Sequence, residues 1–430
     1  MSTANHPIYL PGTVVLPNMA HHPKLRKENI TLAGSNPSVI YLIAGLVLLV
    51  VAIGASFSQK LAVAHALSSI HIGVMTCLAI SLGALFFVQI NLLVNAGWYA
   101  TIRRQMENIA SLAPIFGLLA ILTPLLDFTV FHGQLFTWMN PEFAHDAILA
   151  KKIAFFSPAF FFGRGFFYIA VWTILTRTYL KNSLEEDRTG DRMLCARSRR
   201  LATVGLILTA LTTAFCAFDW LMSFDFRFFS TMWGVYYFAG AAYSGIAMFI
   251  LICVALRRRG LLNGLVTEEH FHDLGKFLFA FTIFWAYISF SQYFLIWYSN
   301  IPEETAWYVY RKHEGWQYLF FTLCFGHFLV PFLILLFRDV KRNFHALTLM
   351  AVWAIFMEVL DMTFIVKPMI FIRESEAGIA HSSTALITAA ASLGMLALFM
   401  GLLWRKIGQS PLVAVNDPHM AESLGHKNYV

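Results

Sequence analysis

The strongest constraint on this chain is a series of ten apolar runs, each near the ~20 residues that a helix needs to cross a bilayer. They are Ser38–Phe57, Ile70–Val94, Ile109–Phe131, Ala154–Leu180, Leu201–Met222, Phe229–Leu256, Leu274–Ser299, Gly315–Phe337, Ala346–Phe371 and Ser383–Trp404. In hydrocarbon a spanning segment must satisfy its own backbone polar groups, and a helix does this internally. The pattern therefore predicts an all-α integral membrane protein with ten transmembrane helices. Pro124, Pro158 and Pro331 fall inside runs, which is tolerated where neighbouring helices cover the freed carbonyls. Composition agrees. The chain is 58% hydrophobic and 13% charged, whereas a soluble domain carries ~25% charged residues.

The basic residues report orientation rather than nucleic-acid binding, because the net charge of +7 is spread over short loops. Lys24, Arg103, Arg104, Arg197, Arg199, Arg200, Arg257, Arg258, Arg259, Arg405 and Lys406 lie on the side of the N-terminus. Lys60, Lys151, Lys152, Arg227, Arg311, Lys312 and Arg373 lie on the other. The full bias is roughly three to one, so both termini are expected to be cytoplasmic. Adding or removing one span would scramble it. The chain divides into a cytoplasmic N-terminal segment (1–37), a ten-span membrane domain (38–404) and a cytoplasmic tail (405–430). Both ends read as ordered only against partners, and the polar start shows no secretory h-region. Cys77, Cys195, Cys216, Cys253 and Cys324 form no Cys-x-x-Cys, which argues against covalent c-type haem and iron–sulfur ligation. His270-x-His272 reads as an interfacial cap rather than a metal site, since two ligands are too few.

The stretch from Thr213 to Ser244 sits mid-chain, with Asp219, Asp225 and Arg227 between two apolar runs. It reads as the join of a twofold repeat. Spans 2–5 and 6–9 overlay as two four-helix bundles, with the first and last helices flanking, and Asp219 then corresponds roughly to Asp361. Gly240 to Gly245 and Ser382 to Ser392 are small-residue stretches suited to close helix packing.

A charge at the bilayer centre costs ~2.5–3.5 kcal/mol on insertion scales, so each one needs a partner or a task. The candidates are Asp127, Arg164, Asp219, His327, Glu358, Asp361 and Lys367. Arg164 is expected to pair with Asp127 or Asp219, and Lys367 with a carboxylate. Glu358 and Asp361 are three apart on one helix face. Like charges so close resist double ionisation, so the pair can hold a proton. With His327 it forms a candidate proton relay, Asp127 and Asp219 extend the path, and Arg164 and Lys367 tune the acids by charge. A b-type haem would need axial His on facing helices. Only His71 and His327 lie well inside runs, at unmatched depths, so this chain is expected to bind no electron-transfer cofactor and no metal itself.

Two stretches carry a resemblance: AFDWLMSFDFRFFSTMWGVYYFAGA (217–241) and LGKFLFAFTIFWAYISFSQYFLIWYSNIPEETAWYVYR (274–311). They resemble the ActF-type, NrfD- and polysulfide-reductase-like membrane subunit of bacterial alternative complex III, a quinol:cytochrome c oxidoreductase. The resemblance covers nearly all of the chain apart from its tails. It implies a homologous NrfD-like membrane subunit, a multihaem cytochrome c, an iron–sulfur subunit resembling molybdopterin oxidoreductases and a monohaem cytochrome c as partners, with a terminal oxidase as a further one. Haem c and iron–sulfur clusters would then lie in those partners, in a bacterial inner membrane. The family offers no short quinone motif to carry over, so a quinone site is left open. A free-standing proton-coupled transporter and a pure scaffold are the competing readings. The loop from Ser299 to Trp307 reads either as a docking surface or as a capped surface helix opened by Pro302.

Overall fold

A computed structural model describes residues 22–32, 34, 36–313, 315–376, 378 and 384–428. Most of the segment 1–37, and Ser382 and Ser383, therefore lie outside the described residues. Among the described residues, ten helices are long and apolar enough to cross a membrane. We label them α1 (Ser38–Ser56), α2 (Ala62–Leu93), α3 (Arg103–Thr129), α4 (Pro158–Thr189), α5 (Met193–Phe224), α6 (Trp233–Arg258), α7 (Glu268–Ser299), α8 (Trp316–Leu336), α9 (Phe344–Ser375) and α10 (Ala385–Ile407). No strand occurs among the described residues. The chain is a multi-pass, all-α membrane protein.

Several helices outrun their apolar stretch. A helix of 32 residues, such as α2, α4 or α7, is about 48 Å long, against a hydrocarbon core of ~30 Å. Their ends project beyond the oil and carry the polar contacts of the two faces. With an even number of spans, both described chain ends meet one face, here called the terminal face.

Neighbouring helices are α2–α3, α3–α4, α4–α5 and α5–α2 in the first half, and α6–α7, α7–α8, α8–α9 and α9–α6 in the second. The halves touch through α2, α5, α6 and α9, while α1 packs on α10. α2 and α6 are the centre, with 89% of each apolar window buried, against 17% for α1. Contact between α2 and α6 is backbone to backbone. A Cβ on Gly83 would strike the Ala241 carbonyl, and one on Gly245 would lie 2.9 Å from the Ala84 nitrogen. In lipid, where apolar burial does not distinguish protein from solvent, such close approach is the main source of attraction.

The tail differs from its sequence reading. Residues 405–428 fold back over the terminal face: Leu412, Val413, Ala414 and Met420 are fully buried. The Leu412 N–H donates to the Ile30 carbonyl at 2.7 Å, and its carbonyl accepts from Gln105 Nε2 at 2.7 Å. Asp417 pairs with Arg103 at 2.7 Å. The described part of the N-terminal segment also packs there, with Leu25 and Ile30 buried and Asn29 bonded to Leu262 and Asn263. The expectation that both ends order only against partners fails for these residues, because their few apolar side chains have a place to bury and their backbone groups have acceptors.

Gly83→Val should destabilise the protein by roughly 1–3 kcal/mol or more, the usual cost of overpacking. Gly54→Val, where a Cβ meets nothing within 4 Å, should leave the thermal unfolding midpoint in detergent unchanged.

Candidate functional site

The buried ionisable groups divide into those whose hydrogen-bonding capacity is filled and those whose capacity is open. Asp219, near the end of α5, is filled. Arg164 of α4 donates through Nε to Oδ2 at 3.0 Å and through a terminal nitrogen to Oδ1 at 2.6 Å. The Tyr168 hydroxyl adds a bond to Oδ2 at 2.8 Å. The guanidinium also lies over the rings of Phe155 at 4.0 Å and Phe160 at 4.3 Å, and it donates to the Phe155 carbonyl at 3.0 Å. Of the two acids open to Arg164 from sequence, Asp219 takes it. Asp127, at the end of α3, accepts instead from the backbone N–H groups of Leu135, at 3.0 Å, and Phe136, at 2.7 Å. Its carboxylate closes the loop that follows its own helix.

Lys367 of α9 is also filled, though without a direct carboxylate contact among the described residues. Its ammonium donates to Ser68 Oγ at 2.9 Å, Ser69 Oγ at 2.8 Å and the His65 carbonyl at 3.3 Å. One turn of α2 thus supplies three oxygens to one cation. The nearby His65 ring bonds Glu374 at 2.8 Å.

The acid and the imidazole with every polar side-chain atom unpartnered among the described residues, Glu358 and His327, lie in the second half. Glu358 is fully buried, and neither carboxylate oxygen has a hydrogen-bond partner among the described residues. Its room comes from Gly240 of α6, where a Cβ would sit 2.7 Å from Glu358 Oε2. Asp361, on the same face of α9, accepts from the Tyr236 hydroxyl and, at 3.1 Å, from the Trp285 indole N–H. His327 of α8 is fully buried, and neither ring nitrogen has a partner among the described residues. Its ring stacks on Trp285 with centroids 3.6 Å apart and planes 14° from parallel. Trp285 therefore touches His327 with its face and Asp361 with its edge.

Local backbone irregularity positions this set. Residues Leu323–Leu329 form a π-helical segment within α8, just before Pro331, which lacks the N–H to bond the residue 327 carbonyl. The neighbouring Gly326 carbonyl accepts from Trp353 Nε1 of α9 at 2.7 Å. α9 has Pro368 inside it, which frees the Phe364 carbonyl. Arg311 takes that carbonyl at 2.9 Å, along with those of Ile365 at 2.7 Å and Trp307 at 2.8 Å. Its guanidinium also lies 3.4 Å over the Trp307 ring. The helix Pro302–Tyr310 before it folds inward, with Trp307 buried, so this loop is more than a surface cap.

Sequence reasoning missed Arg311, Tyr236 and Trp285. Arg311 was legible only as a loop charge, although Pro368 advertises a carbonyl in need of a donor. Tyr236 and Trp285 carry no charge and sit among many aromatics, so nothing in the pattern marked them. A second omission is a buried ionic network at the terminal face. There Arg103 meets Glu107 at 2.8 Å, Asp417 at 2.7 Å and Glu186 at 3.5 Å, and Arg104 meets Asp187 at 2.7 Å. His270 caps its own helix, closing a box with Thr267. Among the described residues no group of three or more His, Cys, Asp or Glu is placed to hold a metal.

On the opposite face, the connection after α5 is clamped. Asp146 caps the short helix Ala147–Lys151 through the N–H groups of Ile148 and Leu149 and pairs with Arg227 at 3.1 Å. Lys152 donates to the Phe226 carbonyl at 2.7 Å. Partial desolvation pushes the Asp146 carboxyl up, but the Arg227 hydrogen bond and the two N–H donors outweigh it and hold the group below its ordinary value.

No known family model matches the chain. No curated protein matches it either.

Asp219→Asn should cost roughly 3 kcal/mol by leaving the largely buried Arg164 guanidinium without its carboxylate, whereas Glu358→Gln, which breaks no bond, should leave the unfolding midpoint near wild type. The Asp146 clamp has a definite pH sign. Its contribution is complete above the unfolded carboxyl value of ~3.9 and is lost as pH falls through the lower folded value. Protease cleavage in the loop 141–152 should therefore increase only below about pH 4, and Asp146→Asn should show it at neutral pH.

Proposed function

We propose that this chain is an NrfD-like membrane subunit of the ActF type in a quinol:cytochrome c oxidoreductase of the alternative complex III kind. Its place would be the bacterial inner membrane, with both termini cytoplasmic, and its second half would conduct protons. The stretches 217–241 and 274–311 support the family assignment. The observation that carries the proton reading is Glu358: a fully buried carboxyl, one turn from Asp361, with both oxygens unpartnered among the described residues.

An acid that spends its bonds on fixed donors holds structure. An acid with free oxygens can take a proton, rotate and release it, and intramembrane relays use such groups. In this reading Glu358 exchanges a proton with Asp361, whose oxygens the Tyr236 and Trp285 donors hold in place. His327, stacked on the same Trp285, supplies a further exchange site, since imidazole accepts at one nitrogen while donating from the other. Only O–H and N–H bonds form and break. Arg164, Asp219, Asp127 and Lys367 support the path by holding helices and setting the local field rather than by carrying the proton. Electron transfer stays with the haem and iron–sulfur partners.

Purified through a tag on this chain, the assembly should show haem c absorbance. Within it, Glu358→Gln and Asp361→Asn should each lower proton movement per electron by roughly tenfold or more while subunit content stays constant. Full proton coupling in both intact variants would end the proton reading. A lone protein that moves a solute would favour a proton-coupled transporter instead, for which the broken helix α8 is the structural argument.

A further inference from the structure

The outer face of α4 changes character along its length. Phe160, Phe167 and Ile174 are 53%, 56% and 62% exposed, and their spacing of about two helical turns sets them in one row. The row continues through Arg177, Lys181, Leu184 and Arg188, all exposed, at the three- and four-residue steps that keep side chains on one face. An apolar stripe thus ends in three cations. The change falls where oil gives way to water. Ser183 and Asp187 of the same helix hold Arg104 in the terminal-face network, and Arg177 lies about 9 Å along the axis on the membrane side of Ser183. Here the surface carries a groove of ≈ 440 Å³ lined by Arg177, Leu180, Lys181, Leu184, Glu185 and Arg188. Its one acid is engaged: Glu185 accepts from Arg188 Nε at 3.1 Å and from a terminal nitrogen of the same guanidinium. Among the described residues no carboxylate forms an ion pair with Arg177 or Lys181. Two cations at the edge of a bilayer are left with a counter-charge to find.

We propose that this groove binds the phosphate of an anionic phospholipid, with Arg177 and Lys181 as its ligands and an acyl chain lying along Ile174 and Phe167. The inference stands apart from the proton path and from the family assignment, since it uses neither the second half nor the resembling stretches. The occupant must be negative because the lining carries three cations against one acid that is already paired. It must also be amphiphilic, because the cations continue a stripe that faces hydrocarbon. A guanidinium offers paired donors that match phosphate oxygens, and the ammonium adds a point charge. The long stem of Arg177 lies along apolar surface while its head reaches the headgroup level. A zwitterionic headgroup would bring its own cation into a cationic groove, so a net negative lipid is favoured. Free phosphate shares the charge but gains nothing from the stripe.

The test is native mass spectrometry of the full chain in detergent, titrated with phosphatidylglycerol or with phosphatidylcholine of matched acyl chains. The first phosphatidylglycerol should bind roughly tenfold or more tightly than phosphatidylcholine. Arg177→Gln and Lys181→Gln should each reduce that preference roughly fivefold, and the double variant should remove it. Both side chains are exposed, so these variants should fold, and unfolding midpoints identify any that does not. Arg405→Gln combined with Lys406→Gln removes two cations from the last turn of α10 on the same face and should leave the preference intact. The proposal is wrong if wild type binds the two lipids equally, or if the folded Arg177 and Lys181 double variant keeps its preference. It is also wrong if the α10 double variant loses as much, since net charge alone would then explain the binding. Inorganic phosphate that displaces phosphatidylglycerol at equal concentration would assign the groove to the free anion and overturn the lipid reading.

Discussion

Water is missing from the interior of a bilayer, and every polar group placed there must find its partner within the protein. Most of the architecture follows from how that demand is met. Asp219 meets it with a guanidinium and a tyrosine hydroxyl, Asp127 with two backbone N–H groups, and Lys367 with three oxygens of one turn. The prolines create the same demand from the backbone side. Pro368 leaves a carbonyl without its helical donor, and Arg311 comes in from a loop to supply three bonds at that point. A residue that looks like a surface charge is thus a clasp between the Pro302–Tyr310 helix and α9.

Against that background, groups that do not meet the demand stand out. Glu358 and His327 are buried without hydrogen-bond partners among the described residues, and they lie near one aromatic column formed by Trp285 and Tyr236. Keeping such groups costs stability, and they are retained beside a π-helical segment, a form often found at functional positions. The two halves of the chain differ in this respect. In the first half the acid–base pair at Asp219 is closed on itself. In the second half Asp361 has donors but, among the described residues, no cation in hydrogen-bond contact, and Glu358 adds a second acid one turn away. The two acids, Asp219 and Asp361, thus sit in two different environments.

Gly240 shows how packing and chemistry are coupled. The small residues of α6 permit backbone contact with α2 through Gly83 and Gly245, and the same stripe leaves at Gly240 the space that the Glu358 carboxyl occupies. A stripe that reads as packing alone thus also makes room for the carboxyl of an acid.

Sequence alone determined the membrane class, the number of crossings and the set of residues that must be explained, because oil imposes a length and a polarity that composition cannot disguise. Asp219 and Glu358 were both legible as costly groups. Which of them is satisfied was not, because partners such as Arg164 or Gly240 come from other helices, and lateral contacts have no signature along one chain. The tail after Lys406 illustrates the same limit. Its polar composition suggested a free end, and only the assembled terminal face, with Arg103 and Gln105 turned toward Asp417 and Leu412, decided that it docks.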